Sequence, residues 1–398
     1  MKKKTKAKGV KKHSLVRMIL GGFLTIIIFC GLFLGILYWD YQGMFITKGN
    51  NAFERITSTN CFLKKKTDVH IAYITDANYL YPTQVSVYSA IQNKCPNSTY
   101  HFYILTDNVS LQQARDAFKK MEQEDVKFRI VPQQKVLDIE FSDFLEHISS
   151  AAMLKFMLAE ALSDVNRVIY IDSDTVVVKD LSELFNQDLE GNIAGGVPDI
   201  GTVAQPGYLA TIGYREKYYY NAGMFLLDLF QMRKKDIGHQ LNEFVRHNPN
   251  IIFIDQDAYN IILRKKIKKL SYNYNCMASM YFDKYKDLSF KNYLRYRLLG
   301  KKTLKSKFIK LYAKELPLLY RNLFKDVVIF HYFGFTKPWR GKMKKEIFLL
   351  YYDIWNKYAD GLEKELGIKR AFVSNVGKKR DATEETSESG VAFEDILK

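Results

Sequence analysis

Cysteine is scarce in this sequence, with four among 398 residues. Cys30 falls inside a long apolar run. Cys61, Cys95 and Cys276 remain, an odd number without metal-binding spacing, so neither a disulfide framework nor a cysteine-built metal site is expected. No fixed-period repeat occurs, which excludes a repeat array. The first 17 residues contain no acid, and the stretch from Met18 to Trp39 contains no charge of either sign. Apolar residues are not lacking. At 47% hydrophobic content the chain can fill a sizeable core, so it is not a disordered protein, and its length suits one large α/β domain or two smaller ones.

The formal net charge of +17 is concentrated in two places. Residues 1–17 hold seven lysines and one arginine, and residues 284–325 hold thirteen Lys and Arg against Asp287 and Glu315. The 22 uncharged residues "MILGGFLTIIIFCGLFLGILYW" can cross a bilayer core as a helix rising about 1.5 Å per residue. A cleaved signal peptide is the competing reading. Its apolar core runs about 7–15 residues and leads to a small-residue cleavage site, whereas this run ends in "YWDYQ". Basic residues before it and aromatics at its end fit a cytoplasmic tail at 1–17 and an uncleaved anchor at 18–39. A polar stem follows at 40–67. The sequons Asn97-Ser-Thr and Asn108-Val-Ser fit a secretory lumen, although such tripeptides arise often by chance.

Beyond the stem, "VHIAYIT" (69–75), "YHFYILT" (100–106), "VKFRIV" and "RVIYI" read as buried strands. Helical stretches separate them, one reaching about Asn93, a second in "SLQQARDAFKKMEQED", a third in "AAMLKFMLAEAL". This alternation predicts an α/β fold, with a mostly parallel central sheet and helices on both faces. "YYYNAGMFLLDL" (218–229) and "DVVIFHYFG" (326–334) are further strand-like runs, with helices expected over 230–247, 255–264 and 344–365. The polar end, 374–398, reads as disordered.

The apolar strand "RVIYI" runs straight into Asp172 and Asp174. In extended backbone, residues two apart share a side, so the pair can converge on one cation, and hard oxygen ligands suit Mg²⁺ or Mn²⁺. The C-terminal edge of an open α/β sheet is where ligands bind. The plain alternative is that one aspartate caps the next turn and the other is solvated. A sharper one is the Asp-x-Asp of haloacid-dehalogenase-like phosphatases, with Asp172 as nucleophile. That motif usually opens its domain, and no Gly-Asp-x-x-x-Asp cluster follows here.

Four segments in order, "HIAYITDANYLYPTQVSVYSAI", "YYYNAGMFLLDL", "IDQDAYNIIL" and "HYFGFTKPW", together with the aspartate pair, closely resemble glycosyltransferase family 8. These retaining transferases include bacterial lipopolysaccharide galactosyl- and glucosyltransferases and the glycogenins. The resemblance spans residues 69 to about 340. It implies a GT-A type nucleotide-diphospho-sugar transferase fold over 68–283, completed by 326–373. It also implies retaining transfer of a hexose, galactose or glucose, from a UDP-sugar to a glycan or glycolipid acceptor.

The resemblance assigns roles residue by residue. Asp172, Asp174 and His331 would hold Mn²⁺, with Mg²⁺ as the alternative; one imidazole beside carboxylates suits Mn²⁺. A lone histidine after an apolar strand is more often structural. Gly334 would let the backbone approach the diphosphate, and Lys337 would face it as a cation. Asp76, Asn78 and Tyr79 would bind uracil and ribose, although "TDANY" also reads as an ordinary β-to-α turn. Asn221 and the triplet Asp255, Gln256, Asp257 match donor-sugar contacts, with the Gln256 amide facing the anomeric carbon. Acids at a helix start also favour the dipole, which is compatible. Lys155 stands where the family usually has Arg, keeping the charge without the bidentate fork, and Met153 stands where an aromatic is common.

The basic insert, 284–325, interleaves aromatics with Lys and Arg and keeps a helical apolar period from Phe308 to Leu323, interrupted at Pro317. It suits contact with an anionic membrane or an acidic acceptor. No nucleic-acid motif accompanies the charge, so nucleic acid is not an expected partner. The expected protein is a single-pass membrane enzyme, in the Golgi if eukaryotic and at the cytoplasmic face of the plasma membrane if bacterial. A haloacid-dehalogenase-like phosphatase and an inactive glycan-binding membrane protein are the other classes.

Overall fold

The computed structural model describes residues 20–38, 61, 66–107, 109–131, 154–199, 206–277, 326–333, 337–340 and 346–370. The expected tail 1–17, most of the stem, the insert 284–325, the end 374–398, and the residues Met153, Gly334 and Asn108 lie outside them. By its contacts the chain divides into two units, residues 50–285 with 322–398, and residues 1–49 with 286–321. In the second, the described element is the helix Leu20–Tyr38, long and apolar enough by length and composition to cross a membrane. Leader sequences meet the same criterion.

The larger unit carries nine described strands: β1 (Thr67–Thr75), β2 (Ser98–Thr106), β3 (Val126–Val131), β4 (Arg167–Ile171), β5 (Thr175–Val177), β6 (Ala194–Pro198), β7 (Tyr220–Asp228), β8 (Ile267–Lys269) and β9 (Ile329–His331). Seven form one sheet in the order β3-β2-β1-β4-β7-β6-β8, and β5 pairs with β9 in a second. β1, β2, β3 and β4 run parallel. β7 runs antiparallel between β4 and β6, and β8 is parallel to β6. The mostly parallel sheet is therefore as expected, and its reversal at β7 matters for the site.

Both faces are covered. On one, α1 (Leu80–Gln92) is anchored by side-chain bonds, Tyr73 Oη to Ser86 Oγ at 3.0 Å and Thr83 Oγ1 to Thr75 Oγ1 at 2.8 Å. α2 (Leu111–Lys119) starts in a capping box, Ser110 with Gln113. On the other face, α3 (Leu158–Ala161) packs with later helices against Ala72, Ile74, Val168, Tyr170 and Leu227. After α4 (Ser182–Phe185) and α5 (Pro206–Thr211) these later helices are α6 (Leu229–Lys234), α7 (Ile237–His247) and α8 (Ile254–Ile262). α9 (Glu346–Leu366) returns to α1, with Trp355 edge-on to Tyr81 and Asn93 Nδ2 donating to Tyr358 Oη at 2.7 Å.

Several elements differ from expectation. The helix expected over 151–162 is, where described, a 3₁₀ turn (Lys155–Met157) followed by α3, and the Lys155 carbonyl accepts from Tyr259 Oη at 2.9 Å. Lys155 therefore opens a tighter turn directly after the α-helical Leu154. The helix expected over 230–247 is split by Asp236, whose φ of 52° is left-handed. The strand expected over 326–334 is three residues long and belongs to the smaller sheet. β6 was not anticipated: Gly195 and Gly196 have low strand propensity, but a Cβ on Gly196 would meet the Phe225 ring at 2.8 Å, so close packing selects glycine there. Cys61 and Cys95, not paired in the sequence reading, form a disulfide. Spatial proximity, invisible to counting, makes the pair.

Candidate active site

The site forms where strand ends meet. Parallel pairing brings the ends of β1 and β4 to one edge of the sheet. Because β7 is antiparallel, its beginning lies at that same edge: Ile171 pairs with Met224, and Asp172 N–H donates to Gly223 O at 2.9 Å. The "NAG" at the start of β7 thus sits beside the aspartates. β4 stops at Ile171, and residues 173–174 form a turn instead of continuing the strand. Ser173 points inward and donates to Ile74 O at 2.7 Å, while Thr175 Oγ1 donates to Asp172 O at 2.9 Å. The two carboxylates converge through this turn and not through the alternation of an extended strand.

β5 then carries the chain away and pairs with β9, Thr175 opposite His331. Tyr332 N–H donates to Asp174 O at 2.8 Å. This short ladder closes the gap of 157 positions between Asp174 and His331. His331 Nε2 lies 3.2 Å from Asp174 Oδ1 and 3.9 Å from Asp172 Oδ2. One ligand atom from each of the three lies within 4.8 Å of the others.

Each carboxylate has one oxygen turned to the imidazole and the other held by a donor. Asp172 Oδ1 accepts from Tyr170 Oη at 2.5 Å and from Lys155 Nζ at 3.3 Å. Asp174 Oδ2 is paired with Lys337. Burial alone would raise the Asp174 carboxyl, but Lys337 and His331 outweigh it and hold it below the ordinary range. Burial likewise works against the Lys155 and Lys337 ammonium groups, and the carboxylates beside them turn the balance, so both are raised. Among the described residues, four carboxylates (Asp172, Asp174, Asp199, Asp255) share the cluster with the ammonium groups of Lys155 and Lys337, so carboxylates outnumber ammonium groups there. Two carboxylates and an imidazole converging in this way fit a divalent cation.

Lys155 Nζ also donates to Asp255 Oδ2 at 2.5 Å and to Ala222 O at 3.1 Å, so its three N–H groups bind Asp172, Asp255 and β7. At the start of α8, Gln256 Oε1 accepts from Asn221 Nδ2 and from Ala222 N–H, both at 3.0 Å, and its Nε2 donates to Asp199 Oδ2 at 3.1 Å. Asp257 points elsewhere. It accepts from Phe253 N–H at 2.9 Å and from Tyr208 and Tyr219, an anchor for α5 and α8. Burial pushes its carboxyl upward.

After β1, Asp76 Oδ1 accepts from Tyr79 N–H at 2.8 Å, the turn contact a plain β-to-α connection would make. Asn78 is exposed. Tyr79 is edge-on to Trp339 with centroids 5.9 Å apart, and Lys337 Nζ lies 6.0 Å from the Tyr79 ring. The sequence reading missed Asp199, Asn275, Gly223 and the Tyr170 hydroxyl. Asp199 closes the short strand β6 as Asp172 closes β4, the one signal that could have found it. Asn275 carried none.

The family model described as "Glycosyl transferase family 8" matches residues 70–343. General stress protein A of Bacillus subtilis (strain 168) is 24% identical over 71% of this chain and 91% of its own length. The lipopolysaccharide 1,2-glucosyltransferase of Escherichia coli (strain K12) is 24% identical over 68% of this chain and 72% of its own. Glycosyltransferase GlyF of Streptococcus pneumoniae is 28% identical, and the match spans about half of each, 53% of this chain and 49% of GlyF. Among solved structures, an active-site mutant of LgtC superposes with a TM-score of 0.57 at 22% identity over 74% of this chain and 95% of that one. The galactosyltransferase LgtC in complex with donor and acceptor sugar analogues gives 0.55 at 20% over 79% and 99%. These likenesses show a GT-A fold.

Proposed function

The chain belongs to glycosyl transferase family 8, and we propose that it transfers a hexose, galactose or glucose, from a UDP-sugar to a glycan or glycolipid with retention of configuration. The meeting of Asp172, Asp174 and His331 within 4.8 Å, with Lys337 beside them, carries this reading. Family membership sets aside the phosphatase alternative.

Mn²⁺, or Mg²⁺ in its place, would be held by Asp172, Asp174 and His331 and when bound supplies positive charge against the departing diphosphate. Lys337 faces the same diphosphate with N–H groups that favour charge building on the leaving oxygen. Lys155 fixes Asp172 and Asp255 at their carboxylates, so both enter the reaction already oriented. Tyr79 presents a ring on which uracil stacks, and Asp76 and Asn78 offer polar edges to base and ribose.

On the sugar side, the Gln256 oxygen already accepts two hydrogen bonds. Such an oxygen is a poor nucleophile, which supports front-face attack over a double displacement. The acceptor hydroxyl then forms its bond to the anomeric carbon as the bond to UDP breaks, and its proton passes to the leaving phosphate oxygen. Asn221 and Asp255 line the donor-sugar side. The helix Leu20–Tyr38 would anchor the enzyme to a membrane.

Slow release of UDP from UDP-galactose or UDP-glucose tests the reading. Release is expected from the native enzyme and is lost with chelator and in Asp174→Asn. Hydrolysis that survives both treatments overturns the metal assignment, and no turnover of any donor favours an inactive glycan-binding protein.

A further inference from the structure

Behind the His331 ring, buried amides form one chain of hydrogen bonds whose direction the backbone dictates. Asn275 follows the 3₁₀ turn Tyr272–Tyr274 and is fully buried. Its side chain lies 3.0 Å from His331 Nδ1 on one side and 2.9 Å from Asn221 Oδ1 on the other. Asn221 Oδ1 also accepts from Gly223 N–H at 2.9 Å. A backbone N–H can only donate, so the Asn221 atom facing it is oxygen. The Asn275 atom that meets this oxygen must be the amide nitrogen, and the Asn275 atom turned to His331 is therefore its oxygen. That oxygen accepts, so Nδ1 carries a proton. Nε2 is left as the nitrogen facing Asp172 and Asp174.

The other end of Asn221 is fixed in the same way. Ala222 N–H identifies the Gln256 atom beside it as oxygen, and Asn221 Nδ2 donates to that oxygen. Two consecutive backbone N–H groups of β7 thus set the polarity of a chain from His331 through Asn275 and Asn221 to Gln256 and Asp199. A buried asparagine serving only the core could satisfy itself on backbone carbonyls. Both side-chain partners of Asn275 belong instead to the site.

We propose that Asn275 is a positioning residue of the metal centre, holding the His331 imidazole in its Nδ1–H tautomer with Nε2 aimed between the two aspartates. It deepens the metal reading above and rests on it. Metal-bound histidines commonly donate their second N–H in this manner, and loss of such a partner lowers metal affinity about 10–100-fold.

The test uses detergent-solubilised full-length protein labelled with ¹⁵N-histidine. In the metal-free native protein at alkaline pH, the long-range ¹H–¹⁵N spectrum should show His331 protonated at Nδ1. Asn275→Leu should shift His331 toward the Nε2–H form and weaken Mn²⁺ binding, read by electron paramagnetic resonance of the free ion, about 10–100-fold. Asn275→Asp keeps an acceptor toward Nδ1 and should restore the tautomer. A native His331 protonated at Nε2 alone overturns the proposal, as does Asn275→Leu with native tautomer and native affinity. If the native protein binds no Mn²⁺, the metal reading fails by itself and the metal-free spectrum still decides the tautomer. If Asn275→Leu does not fold, the native spectrum and Asn275→Asp decide.

Discussion

His331 packs against a residue with no side chain. A Cβ on Gly223 would overlap His331 Cε1 and come within 2.9 Å of Asp172 Oδ2, and neither group can move without leaving the cluster of Asp172, Asp174 and His331. Gly223→Ala is therefore expected to weaken Mn²⁺ binding by at least about 10-fold while circular dichroism stays native, and a titration with native affinity would show the ring has room to shift. A different histidine is expected to make stability depend on pH. Burial first, and the neighbouring His101 second, lower the His70 pKa below its ordinary 6.5. Its proton then favours the unfolded chain: stability is intact above 6.5 and falls as pH drops from there through the folded value. The urea midpoint of the native protein should decline over this interval, and the decline should be shallower in His70→Phe. Of these residues, the aspartates were legible because an apolar strand ending in two charges is anomalous. His331 was legible only through resemblance. Asn275 and Gly223 are ordinary in sequence, and what they do depends on neighbours that folding alone supplies.

At the scale of elements, α9 is held to α1 by few large groups. Trp355, Ile354 and Leu362 are almost fully buried, and Trp355 meets Tyr81 edge-on and Trp339 at a centroid distance of 5.6 Å. Trp355→Ala should cost about 3–5 kcal/mol, measured by chemical denaturation. Because Trp339 touches Tyr79 as well, the same variant should raise the KM for the donor more than it lowers kcat. A loss below about 1 kcal/mol would mean that α9 is dispensable to the core. Long apolar elements such as β1, β2 and β7 were readable from their pattern, since each is continuous over nine residues. β5 and β8, at three residues each, offer no period to read. The segment around Lys155 is helical where described, as its propensity suggests, and period could not show the 3₁₀ turn at Lys155–Met157, where the ammonium reaches Asp172 and Asp255 and the carbonyl accepts from Tyr259.

At the scale of the whole molecule, the order of the longer strands and helices was legible and the reversal at β7 was not, because period and composition carry no strand direction. That reversal gathers Asn221, Gly223 and Asp172 on one edge. The Cys61–Cys95 bridge acts at this scale too. Cys61 belongs to the approach to β1, and Cys95 has its own N–H on Asp180 Oδ2 at 2.8 Å. Thiols of this kind persist as pairs outside the cytosol and part within it, so the bridge works as a gauge of address. Alkylation of protein taken from its native cell, quenched in acid, reads that gauge directly: two unreactive sulfurs place the sugar-handling sheet beyond the reach of glutathione, and two capped ones place it inside.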